Sequence, residues 1–316
     1  MKRERWRDNP RLIKKIREVA QSSAVLLPYR QTNILISRVK EKLPLPCRLF
    51  FSSEKVRGKV GKKGEKILNE IFPASLLFHL DNEYLTLASD PMIKKIFASE
   101  EEIFFSEWQE EKDWEASLWI EGERKKVRPF TILKMGNDSL LLEKKGEVGI
   151  LEVEKALGEK VKLSPELFFS VLIVCTGNTC RSPMAKGILE KLLSGRNVFV
   201  YSAGVSSSKN LPPSDYAQRF VARLGGDISR HRSQPLTPEM IEDADLILVM
   251  EKWHLLKIKE IKPEAENKVF MLSSYPEKEG KDISDPIGLP YESFFEIGHE
   301  IERYLEKVAQ DIKERL

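Results

Sequence analysis

The stretch VLIVCTGNTCRSPMAKGIL, Val171 to Leu189, decides how this chain is read. Val171–Val174 is a short unbroken apolar run, suited to a strand buried on both faces. The tight segment CTGNTCR follows. A helix is expected from about Ser182-Pro183, because proline suits a first helical turn. A loop between a strand end and a helix N-terminus turns backbone N–H groups into one space, and the helix dipole adds positive potential there. Such a nest suits a phosphate-like dianion. It is also expected to depress the pKa of a cysteine at its mouth.

The side chains fit that cradle. Cys175 and Arg181 form C-x5-R, followed directly by Ser182. The thiolate of Cys175 can attack phosphorus and form a cysteinyl-phosphate. Arg181 can return across the loop as a planar two-pronged donor to phosphate oxygens. Ser182 can donate a hydrogen bond to the sulfur. The phosphate-binding loop comprises Thr176, Gly177, Asn178, Thr179, Cys180 and Ser182. A leaving group must be protonated, which asks for a carboxylic acid at the mouth. Asp285 in DISDPIGLP is the candidate. Asp282 is its rival but lacks the adjoining proline that would stiffen the loop. Cys175 and Cys180 have no second cysteine pair to complete a structural zinc site, and His231 and His254 lie far down the chain. Neither a metal nor a cofactor is expected.

Outward from the loop, strands alternate with helices. Helical periodicity runs from Met184 to Leu193. Strands are expected at Val198–Tyr201, Leu246–Met250 and Val269–Leu272. A helix from Pro213 to Leu224 ends at Gly225-Gly226. Thr237-Pro238-Glu239 starts another, with threonine as N-cap. The last helix runs from about Tyr291 to the end, with Phe294, Ile297, Ile301, Tyr304, Leu305 and Val308 on one face. The expected fold is α/β: a C-terminal four-stranded parallel sheet with helices on both faces. A mixed α/β (α+β) N-terminal domain precedes it. There, strand-like runs lie at Cys47–Phe51, Leu76–Leu80, Thr131–Lys134 and Leu140–Leu142, with helices near Lys63–Ile71 and Pro91–Phe97. GKVGKKG (Gly58–Gly64) fits no phosphate-loop pattern and reads as a mobile exposed loop. Leu163-Ser164-Pro165 is expected to join the domains, taken as 1–163 and 168–316.

A length of 316 residues suits two domains, and a net charge of +3 argues for no general nucleic-acid role. Residues 1–40 carry eleven Lys or Arg against Glu4, Asp8 and Glu18. That surplus reads as the solvated face of an amphipathic helix whose buried side is Leu12, Ile13, Ile16 and Val19. The other reading is an arm for RNA or a membrane surface. With no apolar leader, no membrane-length run and three cysteines, a reduced cytoplasmic setting without membrane partners is expected.

From Val171 onward, VCTGNTCRSPMA, YSAGV (Tyr201–Val205), ADLILVM (Ala244–Met250) and DPIG (Asp285–Gly288) together resemble the low-molecular-weight protein tyrosine phosphatase family. The resemblance implies a phosphoprotein substrate, with Cys175 as nucleophile, Arg181 as phosphate clamp and Asp285 as general acid. It also implies that Asn178 fixes the loop and that Ser182 assists the thiolate. CTGNTCRSPMA looks most like the bacterial protein arginine phosphatases of this family. Tyrosine-specific members typically carry a bulky aliphatic residue where Thr179 stands, so phosphoarginine is expected over phosphotyrosine. By the same resemblance Cys180 is either a redox guard of Cys175 or a small filler. The related arsenate reductases relay electrons through a further downstream cysteine, which this chain lacks after Cys180.

The first half resembles the threonylcarbamoyl-adenylate synthase (YrdC-type) family, in chain order. The resemblance rests on AVLLPYRQTNIL (Ala24–Leu35), ISRVKEKLPLP (Ile36–Pro46), FPASLLFHL (Phe72–Leu80) and the closing segment Pro129–Gly158. Tyr29 and Gln31 stand where that family has threonines, Asn33 where it has tyrosine and Ile34 where it has glycine. No serine/threonine-rich stretch lies near Glu102–Gln109. The resemblance therefore implies a degenerate domain retained for scaffolding, regulation or weak nucleotide or RNA binding. A nucleotide- or RNA-binding regulatory protein is the alternative to the phosphatase.

Overall fold

Seven residues without a formal charge, Phe169–Cys175, form the central strand of the second half (β1). Leu172 and Val174 point to one side, and Val171 and Ile173 to the other, as strand alternation requires. All four are fully buried, so both faces are covered. β1 leads through the loop into α1 (Arg181–Leu192). Then follow β2 (Val198–Gly204), α2 (Asp215–Arg223), α3 (Pro238–Asp243) and β3 (Leu246–Val249). α4 (Lys252–Ile261), β4 (Val269–Met271) and α5 (Tyr291–Lys313) complete the series. The sheet order is β2-β1-β3-β4, and every pair is parallel.

The order reverses between β1 and β3, which places the carboxyl end of β1 at the crevice where open parallel sheets bind ligands. One face carries Leu172 and Val174 with Ile241 of α3 and Ile258 of α4. On the other, α1 packs with α2 and α5. At Gly298 of α5 an added Cβ would lie 2.5 Å from the Phe220 ring of α2, so a side chain there would push the helices apart. The expected cap at Thr237 is present: its hydroxyl accepts from Met240 N–H, with Pro238 opening α3. Gly225 (φ 78°) follows α2 in the left-handed region, as a C-terminal glycine does. β2 runs three residues past its expected end, because Ser202, Ala203 and Gly204 continue the ladder with Ile173, Val174 and Cys175.

The computed structural model describes residues 140–277 and 280–316 continuously. Before these it describes 2–5, 10–21, 25–29, 32–37, 48–51, 60, 62–67, 76–80, 83–87, 103–107, 118–121 and 130–135. The chain divides into two units, Met1–Val161 and Lys162–Leu316. The division falls just before Leu163-Ser164-Pro165, and Leu163 and Ser164 are buried.

Among its described residues the first unit is a mixed α/β region. Val25–Tyr29 pairs antiparallel with Thr32–Ser37, whereas Arg48–Phe51 runs parallel to Glu83–Leu87. The helix Pro10–Ala20 buries Leu12, Ile16 and Ala20 beneath its charged face. The expectation of an exposed loop at Gly58–Gly64 is corrected where residues are described. Val60 is helical and buried, and residues 62–67 form a helix with Gly64 buried against Val60. The glycine there serves close packing rather than mobility. The helix expected over Pro91–Phe97 lies outside the described residues, as does Cys47. Among the described residues no helix is long and apolar enough to cross a membrane.

Candidate active site

The loop from Cys175 to Arg181 is held from outside by its carbonyls. Cys175 O accepts from Val205 N–H (3.0 Å), Thr176 O from Ser206 N–H (3.0 Å) and Thr179 O from Ser214 N–H (2.9 Å). Gly177 O accepts from the Ser207 hydroxyl (3.0 Å), and Asn178 O from His231 Nε2–H (2.9 Å). Five successive carbonyls are thus engaged away from the loop centre, which leaves the amides to face inward as an anion nest. YSAGV has its explanation here. An added Cβ on Gly204 would lie 2.6 Å from Thr176 O and 3.0 Å from Asn178 N, so only glycine lets β2 approach the loop.

Asn178 pins the turn. It is fully buried and left-handed (φ 57°), a conformation that asparagine tolerates better than most residues. Its Nδ2 donates to Ser182 Oγ and Ser202 Oγ, both at 2.9 Å, while its Oδ1 accepts from Gln234 N–H at 2.9 Å. Because Ser182 Oγ accepts from Asn178, its own hydrogen is free for the Cys175 sulfur 3.0 Å away. Asn178 N–H also donates to Cys175 Sγ at 3.3 Å.

One expectation reverses. Burial pushes the Cys175 thiol up, although Ser182, the Arg181 charge and the Asn178 amide all pull it down. The cysteine is 3 % exposed. The cation meant to depress it is shared with two carboxylates: Arg181 Nη1 donates to Glu251 Oε1 and Nη2 to Asp285 Oδ2. Nη1 also donates to Ile283 O (2.8 Å) and Nη2 to Thr176 Oγ1 (3.2 Å). Arg181 Nε is buried and has no partner among the described residues.

Asp285 and Asp282 part company. Asp285 reaches the guanidinium, and its Oδ1 accepts from Ile287 N–H at 3.2 Å. Asp282 Oδ1 instead accepts from Lys252 N–H at 2.8 Å, at the start of α4. Cys175 and Cys180 are both free thiols. The Cys180 thiol donates to Ser214 Oγ at 3.5 Å and lies 3.7 Å from Thr179 Oγ1.

Comparison with known proteins matches this half of the chain. Residues 170–316 fit the family model of the low molecular weight phosphotyrosine protein phosphatases. A protein-arginine-phosphatase of Geobacillus stearothermophilus is 38 % identical over 146 residues, 46 % of this chain and 97 % of that protein. The low molecular weight protein-tyrosine-phosphatase Etp of Escherichia coli K12 is 36 % identical over 149 residues, 47 % of this chain and 95 % of Etp. This chain belongs to the low-molecular-weight phosphotyrosine protein phosphatase family. A solved structure of the Geobacillus stearothermophilus arginine phosphatase YwlE aligns with 46 % of this chain and 94 % of its own, at 37 % identity and a TM-score of 0.43.

Within this phosphatase-family unit, sequence reasoning missed Glu251, His254 and His231. Glu251 and His254 directly follow β3, and segments after parallel strands gather at the same sheet edge. That rule could have found them. His254 is fully buried; its Nδ1 accepts from Glu251 N–H (3.1 Å), which leaves its proton on Nε2 for Thr176 Oγ1 (3.1 Å).

Burial first, then the Arg181 charge, lower the His254 pKa from 6.5 to about 4. Between those values the unfolded chain binds the proton and the folded one does not, so stability falls as pH drops. The loss between pH 7 and 5 is about 2 kcal/mol. His254→Asn keeps an acceptor for Glu251 N–H and removes the titration. Urea unfolding at the two pH values is expected to show a smaller acid loss in the variant than in the wild type. Equal losses would refute the assignment.

Proposed function

We propose that residues 162–316 form a cysteine-dependent protein phosphatase that prefers phosphoarginine to phosphotyrosine. The observation that carries this reading is the orphaned Arg181 Nε. Leaving a buried donor unpaired costs roughly 1–3 kcal/mol, and a phosphoryl oxygen in the loop would relieve that cost. The inward amides and the enclosed sulfur support the same reading.

The reaction runs in two displacements. The Cys175 thiol passes its proton to the Asp285 carboxylate by way of the bound phosphoryl group, and the thiolate attacks phosphorus and forms the S–P bond. The bond from phosphorus to the arginine nitrogen breaks, and Asp285 as general acid protonates that nitrogen. Water then attacks phosphorus, the S–P bond breaks, and inorganic phosphate and free cysteine return, with Asp285 taking the water's proton. Ser182 O–H steadies the sulfur in both steps, and Asn178 keeps the loop in shape. Arg181 and the amides of Thr176, Gly177, Asn178, Thr179 and Cys180 stabilise the equatorial oxygens. Arg181 must first release Asp285, so that its carboxylate can take up the thiol proton before donating it to the leaving nitrogen.

Support for phosphoarginine comes from Thr179, a small polar residue at the loop, and from the similarity to protein-arginine-phosphatases. Tyrosine phosphatases are similar to a like degree, so a direct assay decides. Peptides identical except for phosphoarginine or phosphotyrosine are turned over side by side, and the phospho-cysteine is trapped in a single turnover. The expected result is a higher kcat/KM and faster trapping with phosphoarginine. A strong phosphotyrosine preference would overturn the preference and leave the phosphatase standing.

For the first unit, the reading is a degenerate threonylcarbamoyl-adenylate synthase-like domain acting as scaffold or weak nucleotide or RNA binder. It rests on the resemblance of Ala24–Leu35 and the closing segment, and on the lost threonines at Tyr29 and Gln31. Formation of the adenylate from ATP, threonine and bicarbonate by the full chain would contradict it.

A further inference from the structure

An indole stands beside the clamp, and the two-step reaction above does not use it. Trp253 is 41 % exposed. Its Nε1–H donates to Glu251 Oε2 at 3.0 Å, and the other oxygen of that carboxylate receives Arg181 Nη1. The ring packs on the His254 imidazole, with centroids 4.2 Å apart and planes at 39°. His254 in turn holds Thr176 of the phosphate loop. The indole is therefore fixed along one edge and over one face, and part of its surface remains exposed. Single exposed apolar side chains are ordinary. This one is oriented by a hydrogen bond to the carboxylate that also holds the guanidinium of Arg181. It is also the single tryptophan of residues 162–316, the others being Trp6, Trp108, Trp114 and Trp119.

The surrounding charges say what such a surface would take. Glu251 and Asp285 place two carboxylates around Arg181, and their side chains remain 23 % and 34 % exposed. An aromatic face beside carboxylates attracts cations, and a planar guanidinium stacks on it better than a compact ammonium. A neutral phenyl ring lacks the charge component of that attraction.

We propose that Trp253 is a specificity-determining shelf on which the guanidinium of a phosphoarginine side chain stacks while its phosphoryl group enters the Cys175 loop. The proposal rests on the phosphatase reading above. The indole acts on the substrate side chain rather than on the reacting bond, so it contributes to binding and orientation.

The test uses the full chain as wild type, Trp253→Leu and Trp253→Phe, with the matched phosphoarginine and phosphotyrosine peptides. Cation–π attraction of ordinary strength corresponds to a loss of on the order of tenfold in kcat/KM for phosphoarginine in Trp253→Leu. Most of the loss is expected in KM, because the interaction exists before the transition state. The ratio of the two kcat/KM values falls by about the same factor, and Trp253→Phe recovers part of it. Equal losses on both peptides would mean that the indole merely supports Glu251, and the proposal would fail. An unchanged phosphoarginine rate in Trp253→Leu would also sink it while leaving the substrate reading intact. A wild type that turns over phosphotyrosine and not phosphoarginine would remove both.

Discussion

Cys175→Ser is expected to reduce kcat by at least about four orders of magnitude while leaving the loop folded. The size follows from the role: an alcohol at this position is far less ionised than a thiol and a poorer leaving group in the second step. The fold should hold because serine can keep both contacts of the sulfur, the Asn178 amide at 3.3 Å and the Ser182 hydroxyl at 3.0 Å. The measurement is single-turnover kinetics with a phosphoarginine peptide, together with urea unfolding to verify the fold. A variant retaining more than about one percent of wild-type turnover would remove Cys175 from the nucleophile's position. The same variant separates the two units. Any nucleotide or RNA binding by residues 1–161 should survive it.

Arg181→Lys should lower kcat/KM by roughly 10²- to 10³-fold. Arginine here meets four groups at once: Glu251, Asp285, Ile283 O and Thr176 Oγ1, with Nε still to spare. A lysine ammonium is one compact charge with three donors and cannot present two parallel N–H groups to a phosphoryl group while holding Glu251. Phosphate inhibition provides a second readout, since the inhibition constant should rise with the loss of the fork. A lysine variant within tenfold of wild type would show that charge alone, without the planar geometry, is what the site requires.

Much of this is legible in the sequence. The β1–loop–α1 unit follows from an apolar run, a C-x5-R segment and a proline in the first turn. The caps at Thr237 and Gly225 follow from local chemistry, because a hydroxyl or a missing Cβ acts within three or four residues. What was misread depended on partners distant in the chain. GKVGKKG has loop composition, yet Gly64 is buried against Val60. The thiol of Cys175 was expected low on loop geometry alone. Full burial, which outweighs the pull of Ser182, Arg181 and the Asn178 amide, pushes it up instead.

The sequence by itself determined the four strands of residues 162–316 and the family-like loop, and it singled out Cys175, Arg181 and Asp285 as candidates, since these rest on spacing and side-chain chemistry. Only the tertiary structure showed that the carboxylates of Asp285 and Glu251 both meet the guanidinium. Asp282 and Asp285 sit in the same loop, but Asp282 is taken by the Lys252 amide at the start of α4. It likewise brought Glu251 and His254 to the loop, with Trp253 against both, because parallel strands align their carboxyl ends and so gather residues that are some seventy positions apart in the chain.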